Sequence, residues 1–302
     1  MSGPGQPDAP ARIPVTKTVI FVSGRSPAEE IGGGHCSYVR AHARAAIAAG
    51  YEVHLYAVSE TRSGVESTGY GMLHHIRVAG SPVRQRYIRR LARPLADAIA
   101  GDRDVWSRAV AIHSFGVWAY AGHLAVAAIA PSRRLRHVMS MYTVYREESF
   151  AQLTALQGFK PVVRLRHLLE WIHIRTSASR CERIAYRTAD TVAVNYRSVE
   201  TLVRRLLGPH PDLRIVPYGP ESAFLAEPAP ATPPERPTGQ PPLIMTITLQ
   251  RPKKGVRTLL EAFAILKGQG VGFRGCIVGG GALRDDHERY MQQLGLSGDV
   301  SF

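Results

Sequence analysis

Apolar and polar positions along the first two thirds of the chain predict strands and helices in turn. Short apolar runs rich in β-formers predict strands, and apolar residues at helical spacing predict helices between them. The predicted strands are 19–22, 51–58, 75–79, 109–113, 135–143, 191–195 and 213–218. Regular alternation of this kind favours an α/β fold in which helices cover a parallel sheet.

The predicted helices follow these strands, and the one over 83–100 is strongly basic. The predicted helices are 38–49, 83–100, 117–129, 161–187 and 199–207, and 145–148 is predicted to be a loop. In 83–100, arginines such as Arg89 and Arg90 lie among apolar residues. This pattern is typical of a solvated helix surface or of a helix on an anionic membrane. The first interpretation is favoured, because Pro94 interrupts the helical pattern.

The helical pattern over 161–187 is basic and aromatic, and we expect its apolar face to lie in the core. Basic residues interleaved with aromatic ones are also found in nucleic-acid-binding proteins. No helix-turn-helix, zinc-finger or RNP-type motif accompanies them here, so nucleic-acid binding is the least favoured function.

Eight prolines between Pro220 and Pro242 interrupt the alternation and predict a linker. A second α/β pattern follows it. Its parts are a strand over 243–249, a basic turn over 251–255, a helix, a strand over 276–278, a glycine loop, a helix from 282 and a strand over 299–302. The predicted organisation is a disordered tail over 1–17, a first domain over 18–219, a linker over 220–242 and a second domain over 243–302.

Composition narrows the environment and the partners. Of the 302 residues 45% are hydrophobic, yet no apolar run reaches the roughly 20 residues of a membrane-spanning helix. The tail lacks the apolar stretch of a signal peptide, and Cys36, Cys181 and Cys276 form no CxxC pair. We therefore expect a cytoplasmic protein, with peripheral contact to the inner membrane face as an open alternative. The net charge of +14 predicts an anionic partner.

A glycine cluster between the first strand and the first helix is the leading candidate for a ligand site. Gly32, Gly33 and Gly34 lack a Cβ, so backbone N–H groups can approach a phosphate there, and the following helix start favours negative charge. A tight strand-to-helix turn without a ligand is the alternative, because the cluster matches neither GxGxxG nor the P-loop pattern. Strand ends contribute two further pocket candidates, His113 and Tyr142.

Two patterns that could indicate a metal are not interpreted as metal sites. Asp102, Arg103 and Asp104 form a D-x-D pattern, and paired carboxylates can hold Mg²⁺ or Mn²⁺ against a diphosphate, but this pattern follows a predicted helix end rather than a strand. His35 and His42 lie two helical turns apart, too far to share a metal in a simple site. We therefore expect no metal.

Several segments resemble, in order, the motifs of family 4 glycosyltransferases, whose GT-B fold has two Rossmann-like domains. Residues 32–35 and 48–53 resemble the family's glycine loop and its G-H-E-V passage, and 189–195 resembles A-D-x-V-I-A-x-S. Residues 215–220, 254–262 and 277–281 resemble I-x-V-I-P-N-G-V, K-G-x-x-x-L-L-E-A and I-V-G-x-G. The segments are spread over most of residues 18–302.

The chain departs from the family pattern in its second domain. An Arg is usual five or six positions before the Lys of K-G, where this chain has Leu249 and Thr248, so Arg251 is the candidate substitute. The acidic E-x7-E region would lie beyond Phe302. About 60 residues follow the linker, whereas a complete domain of this type needs about 100 to 150. We therefore expect a glycosyltransferase truncated in its second domain.

The resemblance implies retaining transfer of a hexose from a nucleotide diphosphate sugar to a sugar, lipid or small-molecule acceptor, with no metal and no cofactor. It implies that Lys254 and Arg251 act on the diphosphate, that Gly32, Gly33, Gly34, Gly279 and Gly280 bind the donor, and that His113 and Tyr142 line the acceptor pocket. The alternative is an inactive remnant that serves as a binding module at an anionic membrane surface or on a partner.

Overall fold

The computed structural model describes residues 17–27, 33–78, 85–154, 161–217, 219 and 239–302. These residues form two compact units. The first unit contains the described residues within Met1–Arg146 and His173–Phe224, and the second contains those within Glu147–Ile172 and Leu225–Phe302. The predicted tail, except residue 17, and most of the predicted linker lie outside the described residues. The predicted domain boundaries therefore stay predictions.

The first unit is built on an eight-stranded sheet in the order β3-β4-β2-β1-β5-β6-β7-β8. The strands are β1 (Thr18–Ser23), β2 (Glu52–Ser59), β3 (Gly64–Thr68), β4 (Gly71–Arg77), β5 (Ala109–Phe115), β6 (Arg136–Met141), β7 (Thr191–Val194) and β8 (Leu213–Ile215). Neighbouring strands are parallel, except that β3 pairs antiparallel with β4 at one edge. The predicted parallel sheet is confirmed.

Helices alternate with the strands, as the apolar spacing predicted. They are α1 (Gly33–Ala48), α2 (Ile88–Gly101), α3 (Arg103–Trp106), α4 (Ala119–Ile129), α5 (Tyr145–Thr154), α6 (Pro161–His173), α7 (Ser179–Thr188), α8 (Arg197–Leu207), α9 (Val256–Gly268) and α10 (Arg284–Gln293). A π-helical turn, Ile174–Ala178, joins α6 to α7, and short 3-10 turns precede α2, α4 and α9.

The core of the first unit lies on both faces of β1. Ile20 and Val22 point to a cluster that contains residues of α2 and α4, whereas Phe21 packs with Tyr38 and Val39 of α1 on the other face. Burial on both faces is typical of a central parallel strand, which therefore has a continuous apolar sequence instead of an alternating one.

The strand order reverses between β1 and β5, and this reversal positions a crevice. The chain builds one side of the sheet from β1 through β2 and β4, and the other through β5 to β8. The elements that follow β1 and β5 pack on opposite faces. A crevice opens outside the carboxyl ends of the two strands at such a point, and ligands of open α/β sheets bind there.

The strand expected over 75–79 is present as β4, which begins earlier in the chain and forms a hairpin with β3. Two local predictions were wrong. The loop expected over 145–148 is the first turn of α5. Pro94 does not interrupt α2, which continues through it to Gly101. A proline removes one helical hydrogen bond, but Leu91, Leu95 and Ile99 are fully buried and hold α2 against the sheet.

The second unit contains a three-stranded parallel sheet in the order β11-β10-β9, made of β9 (Leu243–Ile247), β10 (Arg274–Val278) and β11 (Val300–Ser301). α9 and α10 cover one face through a cluster that includes Leu260, Phe263 and Ile277. The predicted order of strand, basic turn, helix, strand, glycine loop, helix and strand is confirmed.

The apolar side of α6 is not core, contrary to the sequence prediction. Val162, Leu165, Leu169 and Ile172 are 78%, 57%, 60% and 45% exposed. A periodic apolar pattern predicts that a helix has an apolar stripe but not what covers that stripe.

Among the described residues, no helix combines the length and the apolar character needed to cross a membrane.

We predict that Gly122→Ala destabilises the first unit by roughly 1–3 kcal/mol. A Cβ at Gly122 of α4 would lie 2.0 Å from Ser114 Oγ and 2.8 Å from His137 Nε2. Ser114 would have to swing away and break its hydrogen bond to His137. Gly101→Ala is the matched control, because a Cβ there meets no atom within 4 Å. Chemical denaturation should show a lower midpoint for Gly122→Ala alone, and equal midpoints for the two variants would contradict the packing argument.

Candidate functional site

Polar side chains from two strand ends and one helix start meet at the crevice of the first unit. β1 ends at Ser23, the first turn of α1 contributes His35, and Tyr142 follows the last residue of β6. The His35 ring accepts or donates a hydrogen bond at both nitrogens: Nε2 lies 3.0 Å from Ser23 Oγ and Nδ1 lies 2.8 Å from the Tyr142 hydroxyl. Segments far apart in sequence are thus joined at the switch point.

Hydrogen-bond donors and acceptors assign the tautomer of His35. Ser23 Oγ donates its single proton to the Arg25 carbonyl at 2.9 Å, so this oxygen accepts from His35 Nε2–H. In a neutral ring Nδ1 then has to be the acceptor, which makes the Tyr142 hydroxyl the donor. All three bonds therefore run in one direction, from Tyr142 through His35 and Ser23 to the Arg25 backbone.

The charge state of His35 agrees with this assignment. Burial of the ring, helped by the positive charge of Arg25, lowers the pKa of His35 from 6.5 to about 4. The ring is neutral at neutral pH. The crevice consequently offers uncharged hydrogen-bonding groups, which suit the hydroxyl groups of a ligand better than its phosphates.

His113, a predicted pocket residue, lies within β5, two residues before the strand ends. Its ring packs against the rings of Phe21, His42 and Phe115 at centroid distances of 5.2, 5.2 and 4.8 Å. Its Nε2 lies 2.7 Å from Ser140 Oγ, and burial lowers the pKa of His113 to about 3. His113 is therefore a neutral ring within an aromatic cluster, and its role in an acceptor pocket stays a prediction.

The predicted glycine cluster lies at the start of α1. Gly32 falls outside the described residues, and Gly33 and Gly34 form the first turn of the helix instead of the predicted loop. A Cβ at Gly34 would meet no atom within 4 Å. Gly24 differs, because a Cβ there would lie 1.7 Å from the Trp118 ring. Packing alone thus requires glycine at Gly24, whereas the space above Gly34 is open.

The structure gives Asp102, the first aspartate of the D-x-D match, a structural role. Asp102 caps α3, its side chain accepting a hydrogen bond from the Val105 N–H, and it also accepts one from the Tyr56 hydroxyl at 2.8 Å. In the described part of the chain no group of three or more His, Cys, Asp or Glu side chains is placed to hold a metal ion.

Gln250 organises the candidate site of the second unit. It follows β9, is fully buried, and its Nε2 donates to the Gly279 carbonyl at 2.9 Å. Its Oε1 lies 2.8 Å from His287 Nδ1 of α10, and its backbone N–H donates to the Gly280 carbonyl at 2.8 Å. One side chain therefore connects the loop after β9, the glycine loop after β10 and the following helix.

Two glycines of the loop after β10 are required by geometry, and the third is not. Gly279 and Gly281 have φ of +124° and +147°, and a Cβ at either would lie 2.2 or 2.6 Å from the carbonyl oxygen of Thr248 or Gln250. At Gly280 a Cβ would meet no atom within 4 Å. The loop is thus fixed at both ends and open in its middle, a shape that lets backbone groups approach a ligand.

The basic turn after Gln250 carries three cations with different surroundings. Lys253 forms an ion pair with Glu148 of α5, which belongs to the same unit. Arg251 and Lys254 are exposed, and neither forms a salt bridge within the described residues. The lysine that the resemblance selects is therefore the one whose charge is available to an anion.

The sequence analysis missed His35 and Gln250 as organisers of these sites. The sequence does show His35 directly after the glycine cluster and Gln250 directly after a strand, which are the places where polar side chains reach a sheet edge. Their partners Tyr142 and His287 are 107 and 37 residues away. No local pattern predicts a pairing over such separations.

We predict that Tyr142→Phe raises the pKa of His35 above about 4. The substitution removes a donor that stabilises the neutral ring, so protonation becomes easier. NMR titration of the ring nitrogens between pH 3 and 8 measures this. His137 is the internal control, because its low pKa of about 4 results mainly from burial, and its Nε2 bonds to Ser114. An unchanged or lower pKa for His35 would refute the assigned direction of the hydrogen bond.

The lowered pKa of His35 predicts a pH range in which the folded protein loses stability as the solution is acidified. The unfolded chain binds a proton at His35 near pH 6.5, while the folded chain stays neutral down to about pH 4. The unfolded state binds more protons in between, so stability is lost as the pH falls from about 6.5 to about 4. In Tyr142→Phe the pKa of His35 in the folded state should be higher, so the pH range over which stability is lost should be narrower. Chemical denaturation at a series of pH values measures this.

No protein-family model matches the sequence, and no curated protein matches it. Solved structures do match. Sucrose-phosphate synthase from Thermosynechococcus elongatus is 18% identical, with 95% of this chain and 70% of that chain covered and a TM-score of 0.65. The catalytic domain of starch synthase IV from Arabidopsis thaliana, bound to ADP and acarbose, is 12% identical. The match covers 94% of this chain and 73% of that chain, with a TM-score of 0.62.

A further structure, trehalose-6-phosphate from E. coli bound with UDP-2-fluoro glucose, is 12% identical. The match covers 93% of this chain and 69% of that chain, with a TM-score of 0.50. At these identities the likeness concerns the fold. The chain therefore has a GT-B-like α/β fold, as the sequence predicted, and it spans about 70% of the length of these solved structures.

Proposed function

We propose that the protein transfers a hexose from a nucleotide diphosphate sugar to an acceptor, with retention and without a bound metal. The observation that carries this proposal is the arrangement of the two loops that follow β9 and β10 in the second unit. There Gln250 fixes an open glycine loop beside a turn with the exposed cations Arg251 and Lys254. The ligands of two structures with the same fold, ADP and UDP-2-fluoro glucose, support a nucleotide sugar as the donor.

The proposed reaction forms one bond and breaks one bond at the anomeric carbon. The acceptor hydroxyl oxygen bonds to this carbon, and the bond from the carbon to the diphosphate oxygen breaks. The electron pair of the broken bond stays on the phosphate, which takes up negative charge, and the hydroxyl proton is transferred to the departing diphosphate. Cations positioned at that oxygen lower the barrier, because they stabilise the charge where it develops.

Lys254 and Arg251 supply these cations in the proposal, and the open backbone at Gly280 approaches the donor. The two positive side chains then stabilise the charge that Mg²⁺ stabilises in other transferases, which is why we propose a metal-independent reaction. Lys253 is excluded from this role because Glu148 already neutralises it.

The first unit supplies the acceptor side in this proposal. Tyr142 presents an uncharged hydroxyl at the carboxyl end of β6, and the neutral His35, to which it donates, orients that hydroxyl. Such groups recognise hydroxyls, the groups that a sugar acceptor presents. Gly33 and Gly34 add backbone N–H groups at the start of α1, which favour a nearby phosphate.

We predict that Lys254→Ala lowers kcat for nucleotide release by about 10²-fold, the usual effect of losing one transition-state donor. Release of UDP, GDP or ADP from the corresponding glucose donors in the presence of acceptor extract measures it. Lys253→Ala is the matched control. It removes the same charge from the same turn, but from a lysine that is already paired, and should change kcat only a few-fold.

Three results would count against the proposal. Equal losses in the two lysine variants would remove the special role of Lys254, and no release from any donor would remove the activity. Loss of activity in excess EDTA would contradict metal independence. The anomeric configuration of the product, read by NMR coupling constants, tests retention.

A second candidate function, a binding module at an anionic membrane, is favoured by the exposed side of α6. Val162, Leu165, Leu169 and Ile172 recur every three or four residues and form one exposed apolar stripe. Arg164 and Arg166 flank it and are exposed. Exposed apolar residues next to arginines suit shallow insertion among anionic head groups. A cytoplasmic protein would meet such lipids at the inner membrane face.

We predict that Leu165→Ser with Leu169→Ser abolishes flotation with phosphatidylglycerol vesicles, because the apolar stripe no longer inserts. The control is Ile265→Ser with Val271→Ser, which removes two apolar side chains, 61% and 46% exposed, elsewhere in the second unit. Arg89→Glu with Arg90→Glu tests the basic surface of α2 instead. Binding by the α6 variant equal to that of the control would rule out the α6 stripe as the membrane contact.

A further inference from the structure

A cavity of about 520 Å³ lies in the first unit among arginine side chains. Arg146 comes from the first turn of α5, and Arg175, Arg180, Arg183 and Arg187 follow one side of the π turn and α7. None of these residues belongs to the hydrogen-bonded rim at Ser23, His35 and Tyr142 or to the second unit. The residues that line the cavity therefore differ from those proposed to act on the donor.

The cavity carries an excess of positive charge. Among the described residues that line it, none is acidic. Arg180, Arg183 and Arg187 form no salt bridge within the described residues. They are spaced three and four residues apart on one helix, a spacing at which like charges repel and destabilise the helix. An anionic ligand in the cavity would relieve this repulsion.

Ser179 is an independent sign of a ligand. It lines the cavity and is only 7% exposed, yet its hydroxyl oxygen has no hydrogen-bond partner among the described residues. A serine in a helix usually bonds back to a carbonyl in the preceding turn. Here the π turn intervenes, and the Ser179 N–H donates to the Ile174 carbonyl five residues back. Single π turns within helices are frequent at functional sites.

A buried carboxylate holds the two arginine-bearing elements together. Glu182 of α7 is 1% exposed, and its two carboxylate oxygens lie 3.2 and 3.3 Å from the Tyr145 N–H, which donates to them. This contact fixes the first turn of α5, and hence Arg146, beside α7. The positive side of the cavity is thus formed before any ligand arrives.

We propose that this cavity binds the phosphate group of a phosphorylated compound. Guanidinium groups match phosphate oxygens with paired donors, and a rotation of the buried Ser179 hydroxyl would add a further donor. The cavity falls within the 300–1,000 Å³ range of small-molecule sites, so it has room for an organic part beside the phosphate. A soluble phosphomonoester and a phospholipid head group share this chemistry.

Phosphate binding is tested on the full chain without any sugar donor, so the result does not depend on the proposed transferase activity. Inorganic phosphate and glycerol 3-phosphate are titrated by calorimetry at constant ionic strength, with chloride as the replacement. We expect Arg183→Glu with Arg187→Glu to weaken binding at least about ten-fold, because hydrogen bonds between charged partners are among the stronger ones.

The matched control is Arg197→Glu with Arg205→Glu, which makes the same charge change at exposed arginines of α8. The control should bind both ligands as the unaltered chain does. Equal weakening in the two variants would mean that net charge alone attracts phosphate, and would overturn the proposal. Absence of phosphate and vesicle binding by the unaltered chain would overturn it as well.

Vesicles containing phosphatidic acid distinguish the two sources of the phosphate. Flotation that is lost in Arg183→Glu with Arg187→Glu, but kept in the control Arg197→Glu with Arg205→Glu, supports a lipid head group as the source. Calorimetric binding of glycerol 3-phosphate without flotation supports a soluble compound.

Ser179→Ala supplies a readout that a purely structural serine would not give. The substitution removes an unsatisfied buried hydroxyl, so the Tm without phosphate should stay equal or rise. The affinity for phosphate should fall several-fold. A lower Tm together with unchanged phosphate affinity would show that Ser179 serves the fold and not a ligand.

Discussion

Burial of β1 on both faces is the constraint on which the first unit depends. Ile20 and Val22 are enclosed by α2 and α4, while Phe21 is enclosed by α1, so β1 can carry polar chemistry only where it ends. Ser23 is that end, and it bonds to His35 of the helix that follows. Gly24 must lack a side chain because the Trp118 ring lies against it. The same packing that stabilises the sheet thus determines where the crevice opens and which groups surround it.

The second unit reaches a comparable result by a different constraint. The backbones after β9 and β10 approach so closely that Gly279 and Gly281 have no room for a Cβ, and the buried Gln250 closes the contact with hydrogen bonds. Buried amides have to be satisfied, so His287 completes the arrangement. Gly280 and the exposed Lys254 remain open to solvent between these fixed points. Rigid support beside an open cationic turn is what binding a diphosphate requires.

The net charge of +14 is distributed in a way that composition does not show. The histidines at the crevice of the first unit are neutral, because burial lowers the pKa of His35 and His113. Positive charge is concentrated instead at the basic turn, along the arginine-lined cavity and on exposed helix surfaces. Lys253, which pairs with Glu148, shows that proximity in sequence does not decide which cation is available. A count of lysines and arginines thus predicts an anionic partner but not its place.

The sequence by itself determined the alternation of strands and helices, the parallel sheet and the glycine loop of the second unit, because periodicity and backbone preferences are local properties. Its errors were local as well: Pro94 is tolerated by a helix that buried leucines hold in place, and Tyr145 begins a helix that Glu182 caps from another segment. Only the tertiary structure decided that the side of α6 bearing Leu165 is exposed, that Tyr142 donates to His35, and that Arg146 joins the arginines of α7. These pairings join residues distant in the chain, and burial, which sets their charge and their hydrogen bonds, exists only once the chain is folded.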